Sequence, residues 1–157
     1  MSVRDSRDRA AIPGPSVIIR RAAPDDALDV LAWRNDPLSR AMSRTQTLIE
    51  EAGHVAWFTK AIEDPHRALL VGELDGRKIG MVRFDYAKET QVSININPVF
   101  RGRGLGYELL AGALAYAPSG PIVAGIRNEN LASRRLFERA GFLVEGAADG
   151  LLRYVRR

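Results

Sequence analysis

The sequence predicts an α/β domain with a mixed sheet. Three observations support that prediction. Strand-like and helix-like apolar patterns follow one another in the order β-α-α-β-β-β-α-β-α-β-β. The dipeptide Asp75-Gly76 separates two strand-like runs and predicts a hairpin. A glycine-rich segment at residues 101–106 joins a cleanly alternating strand to an apolar helix.

Size and composition narrow the class of protein. The length of 157 residues predicts a single domain, which we place at residues 17–157, and the composition of residues 1–16 predicts a flexible lead-in. The lead-in lacks the apolar core of a signal peptide, and no apolar run approaches the roughly 18 residues of a membrane span. We therefore expect a cytoplasmic protein without a membrane partner. Cysteine is absent, which excludes disulfides and cysteinyl catalysis. The net charge is +4, but the basic residues do not form a stripe interleaved with aromatic residues, so no nucleic-acid partner is expected.

Turn and cap residues delimit the predicted elements. Pro24 suits a first helical turn, and this helix ends before Asp36-Pro37 because a residue preceding proline disfavours the helical region. Residues 38–46 are predicted to form a loop, and Thr47 with Glu50 forms a capping box for a second helix. The strands are predicted at residues 17–21, 68–74, 78–86, 91–97, 121–127, 142–145 and 151–156, and the last two helices at residues 105–117 and from Asn128 or Asn130 to Ala140.

The segment Arg101-Gly102-Arg103-Gly104-Leu105-Gly106 is the strongest functional signal. Its glycines permit close approach of the backbone to a ligand, a helix N-terminus follows, and two arginines add full charges. Such a loop suits a phosphate or pyrophosphate, although a solvated glycine turn is the plain alternative. A dinucleotide fingerprint fits worse because Glu108 and Leu109 stand where a third, offset glycine belongs.

A second motif lies in the last helix and its end. Asn130 is a candidate cap, Gly141 suits the left-handed C′ position, and Phe142 at C″ is expected to contact Phe137. With this motif the chain resembles the GNAT superfamily of acetyl-CoA-dependent N-acetyltransferases. The loop motif (Arg/Gln)-x-x-Gly-x-(Gly/Ala) is met by Arg101, Gly104 and Gly106. The helix motif Asn-x-x-Ala/Ser … Gly-Phe is met by Asn130, Ser133, Gly141 and Phe142.

The resemblance implies a fold and a cofactor site. It implies a mostly antiparallel sheet that splays between strands 4 and 5, with helices on both faces. It also implies that acetyl-CoA lies at the splay and that an amine attacks it directly in a ternary complex. The residues that the resemblance assigns to the cofactor are Ile94, Asn95, Ile96, Arg101, Gly102, Arg103, Gly104, Leu105, Gly106, Tyr107, Asn130, Ser133 and Phe137.

Two positions depart from the family pattern. Many members carry a proton-donating tyrosine where this chain has Phe137, and ribosomal-protein N-terminal acetyltransferases carry a glutamate base where it has Gly125. At pH 7 a lysine-type amine is about 0.04% neutral and an α-amine about 14%, a difference of about 3.5 kcal/mol. A site without these groups is therefore better matched to a weakly basic amine.

The segment Trp33-Arg34-Asn35-Asp36-Pro37 is similar to the opening of GNAT enzymes that acetylate nucleotide-linked amino sugars, although Trp33 and Trp57 are as readily interpreted as core residues. The first expectation for the small-molecule acceptor is therefore an amino-sugar nucleotide. The alternatives are a peptide or protein α-amine, as in RimJ/RimL-like members, or an antibiotic-type amine. A non-catalytic acetyl-CoA-binding module is the hypothesis from another class.

Candidate proton-transfer residues are few. His54, Glu73 and Asn95 are the catalytic candidates, and His54 is equally consistent with a place at the edge of the core. Asp85 and Tyr154 are weaker acid/base candidates on strands. No metal site is expected because two separated histidines without cysteine do not form one. A homodimer is a possible assembly.

Overall fold

The computed structural model describes residues 16–157, so the predicted lead-in falls almost wholly outside the described residues. One mixed sheet contains all the strands of this part. The strands are β1 (Ile18–Arg21), β2 (Arg67–Leu74), β3 (Arg77–Tyr86), β4 (Thr90–Ile96), β5 (Ile122–Arg127), β6 (Leu143–Ala148) and β7 (Leu151–Arg156). The helices are α1 (Ala27–Asn35), α2 (Pro37–Met42), α3 (Glu51–Ala61), α4 (Leu105–Leu114) and α5 (Leu131–Arg139).

The sheet opens between its two parallel strands. The strand order is β1-β2-β3-β4-β5-β7-β6, and every neighbouring pair except β4 with β5 is antiparallel. β4 and β5 are in register only at Thr90 with Ile122 and at Gln91 with Val123. Beyond Gln91 the β5-facing edge of β4 has no strand partner among residues 16–157. The predicted splay is therefore confirmed, and it leaves backbone hydrogen-bonding groups facing a gap.

Each face of the sheet carries its own apolar core. α1 and α3 pack on the face that holds Met81, while α4 and α5 pack on the face that holds Val82 and Phe84. The alternation along β3 produces this division because successive side chains point to opposite faces. A Cβ at Gly80 would lie 2.6 Å from the Asn95 carbonyl oxygen and 2.8 Å from Leu109, so glycine allows α4 to pack close to the sheet.

The segment between α1 and α3 differs from its prediction. Residues 37–42 form the short helix α2 where a loop was predicted, since Pro37 occupies its first turn and the Asp36 carboxylate accepts a hydrogen bond from the Ser39 amide at 3.1 Å. The Thr47 capping box is wrong: α3 begins at Glu51 with Glu50 as its N-cap. The preceding turn is held instead by Asn35, which exchanges two 2.8 Å hydrogen bonds with the backbone of Ile49.

The turn and helix-end predictions are confirmed. Asp75 and Gly76 have φ angles of 51° and 75°, as a tight hairpin requires. At the end of α5, the Gly141 amide donates to the Glu138 carbonyl and the Phe142 amide donates to the Phe137 carbonyl. This is the Schellman ending, with Gly141 at φ 94°. Within residues 16–157, no helix has both the length and the apolar character needed to cross a membrane.

Candidate active site

A cleft of about 1250 Å³ occupies the gap between β4 and β5. The glycine-rich loop and the start of α5 form one end. The other end is formed by α2 with the turn that follows it, and by the polar faces of β3 and β4. The cleft therefore joins two chemically different regions, which we call the loop end and the acceptor end.

Backbone conformation explains the loop glycines. Gly102 and Gly104 both have φ of 74°, and an added Cβ at either would have no neighbour within 4 Å. Glycine is thus required by the left-handed conformation rather than by crowding. Gly104 is the N-cap of α4 and offers no side-chain cap, so the first amides of the helix are left as donors without an intrahelical partner. These amides and the positive end of the helix dipole suit an anion.

The two loop arginines have different positions. Arg101 lines the cleft, but its guanidinium binds the Asp36 carboxylate and lies 2.7 Å from the Ser39 hydroxyl. It therefore ties the loop to α2. Arg103 lies outside the cleft lining, with its guanidinium 5.4 Å from the centre of the Phe100 ring. The expectation that both arginines face a phosphate is not supported by this geometry.

α5 supplies two further cations to the cleft: Arg135, which with Arg134 was a sequence candidate for the 3′-phosphate of coenzyme A, and Arg139, which was not predicted. Arg135 and Arg139 line the loop end, and the Arg139 guanidinium stacks 3.9 Å from the centre of the Tyr107 ring. In the sequence, the i, i+4 spacing of Arg135 and Arg139 indicates that both lie on one face of the helix.

β4 brings its predicted residues to the cleft. Ile94, Asn95 and Ile96 all line it, next to the unpaired strand edge. The side-chain Nδ2 of Asn95 is buried and has no hydrogen-bond partner within the described part of the chain. A buried donor without an acceptor is costly, so this amide indicates a place for an acceptor from a ligand or water.

The start of α5 completes the loop end. Asn130 caps the helix by accepting a 3.2 Å hydrogen bond from the Ser133 amide, and both residues line the cleft. Phe137 also lines it, although it is only 2% exposed because its ring packs edge-on against Phe142 at 5.0 Å between centroids. Phe137 therefore contributes an apolar wall and no proton donor.

Two of the three catalytic candidates lie away from the cleft. His54 is 2% exposed in the core between α1 and α3, with Nε2 2.8 Å from the Ala27 carbonyl oxygen. Because a carbonyl only accepts, Nε2 carries the proton. Burial lowers the pKa of His54, and the charge of Arg34 lowers it further. Glu73 lies on β2 and accepts a 2.6 Å hydrogen bond from Arg20. Neither position supports the predicted catalytic role.

Tyr154 also belongs to the core. Its hydroxyl donates to the Glu138 carboxylate at 2.7 Å and accepts from Arg134 at 3.1 Å. Burial raises the pKa of Tyr154, and the hydrogen bond to Glu138 raises it further. These contacts hold α5 against β7, and Tyr154 does not line the cleft.

The acceptor end holds the remaining polar groups. Asp85 lines it, with one carboxylate oxygen accepting from Arg83 Nε at 2.9 Å. At Gly125, an added Cβ would lie 3.2 Å from the Arg44 guanidinium. The residue at the family's glutamate position is therefore a glycine that leaves room for an arginine from across the cleft. Arg44 was not identified from the sequence because no local pattern connects residues 44 and 125.

The donor chemistry of the cleft fits coenzyme A. The loop end offers unpaired amides, the β4 edge offers strand-like backbone groups, and the cations of α5 lie beside them. Among residues 16–157, no cluster of three or more histidine, aspartate and glutamate side chains is placed to hold a metal ion.

The sequence of this chain is similar to those of known acetyltransferases. The family model of the acetyltransferase (GNAT) domain matches residues 16–143. The chain is 30% identical over 145 residues to "Putative phosphinothricin acetyltransferase YwnH" of Bacillus subtilis (strain 168), covering 85% of this chain and 88% of that protein.

Solved structures of acetyltransferases share the fold of this chain. A protein described as "a putative phosphinothricin N-acetyltransferase" superposes with a TM-score of 0.76 at 28% identity, over 90% of this chain and 98% of the other. The structure of yncA from Salmonella typhimurium with its cofactor acetyl-CoA has a TM-score of 0.73 at 23% identity, over 90% and 94%. The chain therefore belongs to the GNAT family and is an acyltransferase of the acetyl-CoA-dependent N-acetyltransferase class.

Proposed function

We propose that this enzyme transfers the acetyl group of acetyl-CoA to a primary amine of a small molecule, by direct attack in a ternary complex. The observation that carries the proposal is the continuity of the cleft. It runs from the unpaired amides of the glycine loop, past the free edge of β4, to a separate polar acceptor end. One cavity can thus hold both reactants side by side.

Named residues of the loop end would hold the cofactor. The backbone of residues 102–107 would bind the pyrophosphate, and the free edge of β4 at residues 94–96 would align the pantetheine arm. Asn130 uses Oδ1 for its cap, which leaves Nδ2 as a donor to that arm. Acetyl-CoA supplies an activated thioester when bound. The buried Asn95 amide supports a polar role for that residue beside it.

The acceptor end supports a weakly basic amine. Phe137 has no proton to give, and Gly125 carries no carboxylate. Of the acidic residues there, Asp85 is already hydrogen-bonded to Arg83, which limits its use as a base. An amine that is substantially neutral near pH 7 needs the least help. An amino-sugar nucleotide and an α-amine both satisfy this condition, and the relatives named for phosphinothricin support a small-molecule acceptor.

Substitution of a loop glycine tests the proposal. Gly104→Val should weaken acetyl-CoA binding at least about 100-fold, or about 2.7 kcal/mol, since Gly104 lines the cleft and a β-branched residue disfavours its left-handed conformation. Gly120→Val is the matched control because Gly120 also has positive φ, at 102°, and open space around it, but lies outside the cleft. Calorimetric titration of acetyl-CoA into both variants measures the difference. Equal affinities in the two variants would remove the loop from the cofactor site.

A further inference from the structure

Three arginines surround one tryptophan beside the acceptor end. The guanidinium carbons of Arg34, Arg67 and Arg83 lie 5.8, 5.8 and 5.4 Å from the centre of the Trp57 ring. These four residues, which we call the Trp57 cluster, come from α1, α3, β2 and β3. Three like charges brought together from α1, β2 and β3 repel one another unless something compensates them.

The compensation within the described residues is incomplete. Arg83 donates to Asp85 at 2.9 Å, and Arg67 lies 3.4 Å from both Asp64 and Asp85. Arg34 makes no ion pair or side-chain hydrogen bond with any residue from 16 to 157. Asp85 is thus shared by Arg67 and Arg83, and Arg34 has no carboxylate partner among the residues that the structure describes.

Burial makes the unmatched charge costly. Arg34 is half-buried, and its pKa is lowered by burial and then by the charge of Arg83. The repulsion from Arg83 and the loss of water around the Arg34 guanidinium both oppose folding. An arginine in such a position is well suited to bind a planar or tetrahedral oxyanion with its two parallel N–H groups.

The cluster is accessible from the proposed acceptor end. Arg34 and Arg83 line both the main cleft and a smaller side cavity of about 340 Å³ that Trp57 also lines. On β4, Ser93 lies directly opposite Arg83 and is followed two residues later by Asn95 on the same face. A ligand group bound by Arg34 and Arg83 therefore stays continuous with the part of the cleft that contains Asn95.

We propose that Arg34 and Arg83, beside Trp57, bind an oxyanion carried by the amine acceptor, either a carboxylate or a phosphorus oxyanion. The acceptor is then an anionic amine rather than a polyamine. This inference rests on the proposed function of the cleft. It assigns Arg34 and Arg83 as residues that determine acceptor specificity, and it gives a reason for the side cavity.

Anion binding can be measured without turnover. Inorganic phosphate, methylphosphonate and acetate are titrated into the wild-type protein saturated with coenzyme A, with tryptophan fluorescence as the signal. We expect a saturable response that is weakened at least about tenfold in Arg34→Gln and less in Arg34→Lys, which keeps the charge. Arg77→Gln is the matched control because Arg77 also lies over an aromatic ring, 4.8 Å from Phe100, but outside both cavities. The order of affinities among the three anions distinguishes a carboxylate from a phosphorus oxyanion.

Acceptor selectivity supplies a second readout. An α-amino acid and its amide carry an α-amine at the same position, but only the acid has a negatively charged carboxylate. The amine of the amide is less basic, so the amide is the better acceptor where no anion site exists. In wild type we expect the acid to be preferred, and in Arg34→Gln we expect its KM to rise at least about tenfold while the KM of the amide is unchanged.

The proposal is overturned if no anion gives a saturable response in wild type, or if Arg34→Gln binds anions as wild type does. Failure of the proposed function is a separate result, because it shows as absent acetyl-CoA binding or as acetyl-CoA binding without amine-dependent release of coenzyme A. The same anion titration in coenzyme-free protein then still decides the oxyanion site.

Discussion

Two groups of charged side chains on the α1/α3 side of the sheet differ in how their charges are matched. The first group, which we call the Asp26 cluster, consists of Asp26, Arg20, Lys78, Glu73 and Asp29. The Asp26 side chain is 1% exposed, and its carboxylate binds Arg20 at 2.8 and 2.9 Å and Lys78 at 2.9 Å. Arg20 also binds Glu73, and Lys78 also binds Asp29. Every member has a partner of opposite charge. In the Trp57 cluster, Arg34 has none within the described residues, whereas Arg67 and Arg83 share Asp85 and Arg67 also lies beside Asp64.

We interpret this difference in charge matching as the mark of a structural cluster at Asp26 and of a ligand-binding cluster at Trp57. The ion pairs of Asp26 with Arg20 and Lys78 hold β1 and β3 against the start of α1. Removing one of these charges leaves its partners uncompensated. An unmatched cation that faces a cavity is better explained by what it binds. The two clusters should therefore respond in opposite ways to removal of a charge, with loss of stability in one and loss of ligand selectivity in the other.

The largest expected effect is on stability. Asp26→Asn keeps the side-chain volume but leaves Arg20 and Lys78 without their buried partner, and we expect it to lower the free energy of unfolding by about 3–5 kcal/mol. Asp29→Asn is the matched control, since Asp29 also binds Lys78 but is 54% exposed, and it should cost less than about 1 kcal/mol. Urea denaturation measures both. Equal losses would show that burial of Asp26 does not govern the cluster.

Acid pH should weaken the same cluster. Burial alone would raise the pKa of Asp26, but hydrogen bonds from Arg20, the Ala23 amide and Lys78 outweigh it and lower the pKa below its ordinary value of 3.8. Below about pH 4 the unfolded chain binds a proton at this carboxyl that the folded chain does not, so the stability that Asp26 contributes is lost as the pH falls. Stability between about pH 4 and pH 2 should therefore fall more steeply in wild type than in Asp26→Asn. Parallel curves would contradict the assignment.

The smallest stability effect is expected at Arg34. Arg34→Gln loses a cation–π contact of about 0.5–1 kcal/mol with Trp57, but it also relieves repulsion from Arg83 and the burial of a charge. We expect a net change within about 1 kcal/mol in urea denaturation, even though acceptor selectivity changes. A loss comparable to that of Asp26→Asn would make Arg34 a structural residue and remove the contrast between the clusters.

Local chemistry explains which features the sequence predicted. Glycine at residues 102, 104 and 141 adopts positive φ, and Asn130 caps its helix, because these roles depend on single residues and their immediate neighbours. Helix α2 was missed although Asp36-Pro37 carries both a cap and a first-turn proline. The Thr47 capping box failed because Asn35 fixes that turn from 14 residues away.

Long-range contacts explain what the sequence did not predict. The Trp57 cluster joins residues 34, 57, 67 and 83, and Arg44 lies against Gly125 across the cleft. No periodicity or short motif links such positions, since they meet only when the sheet and helices have assembled. His54 illustrates the same limit: its register with Phe58 was compatible with core or cleft, and packing against Ala27 placed it in the core.

We propose that the enzyme transfers acetyl from acetyl-CoA to a small anionic amine in the cleft between β4 and β5. Steady-state release of coenzyme A thiol with matched amino acids, amino acid amides, amino-sugar phosphates and spermidine tests this proposal. We expect release that depends on the acceptor, is fastest with the anionic amines and is lost in Gly104→Val. Tight binding of acetyl-CoA with no acceleration by any amine would contradict the claim and make the chain a binding module.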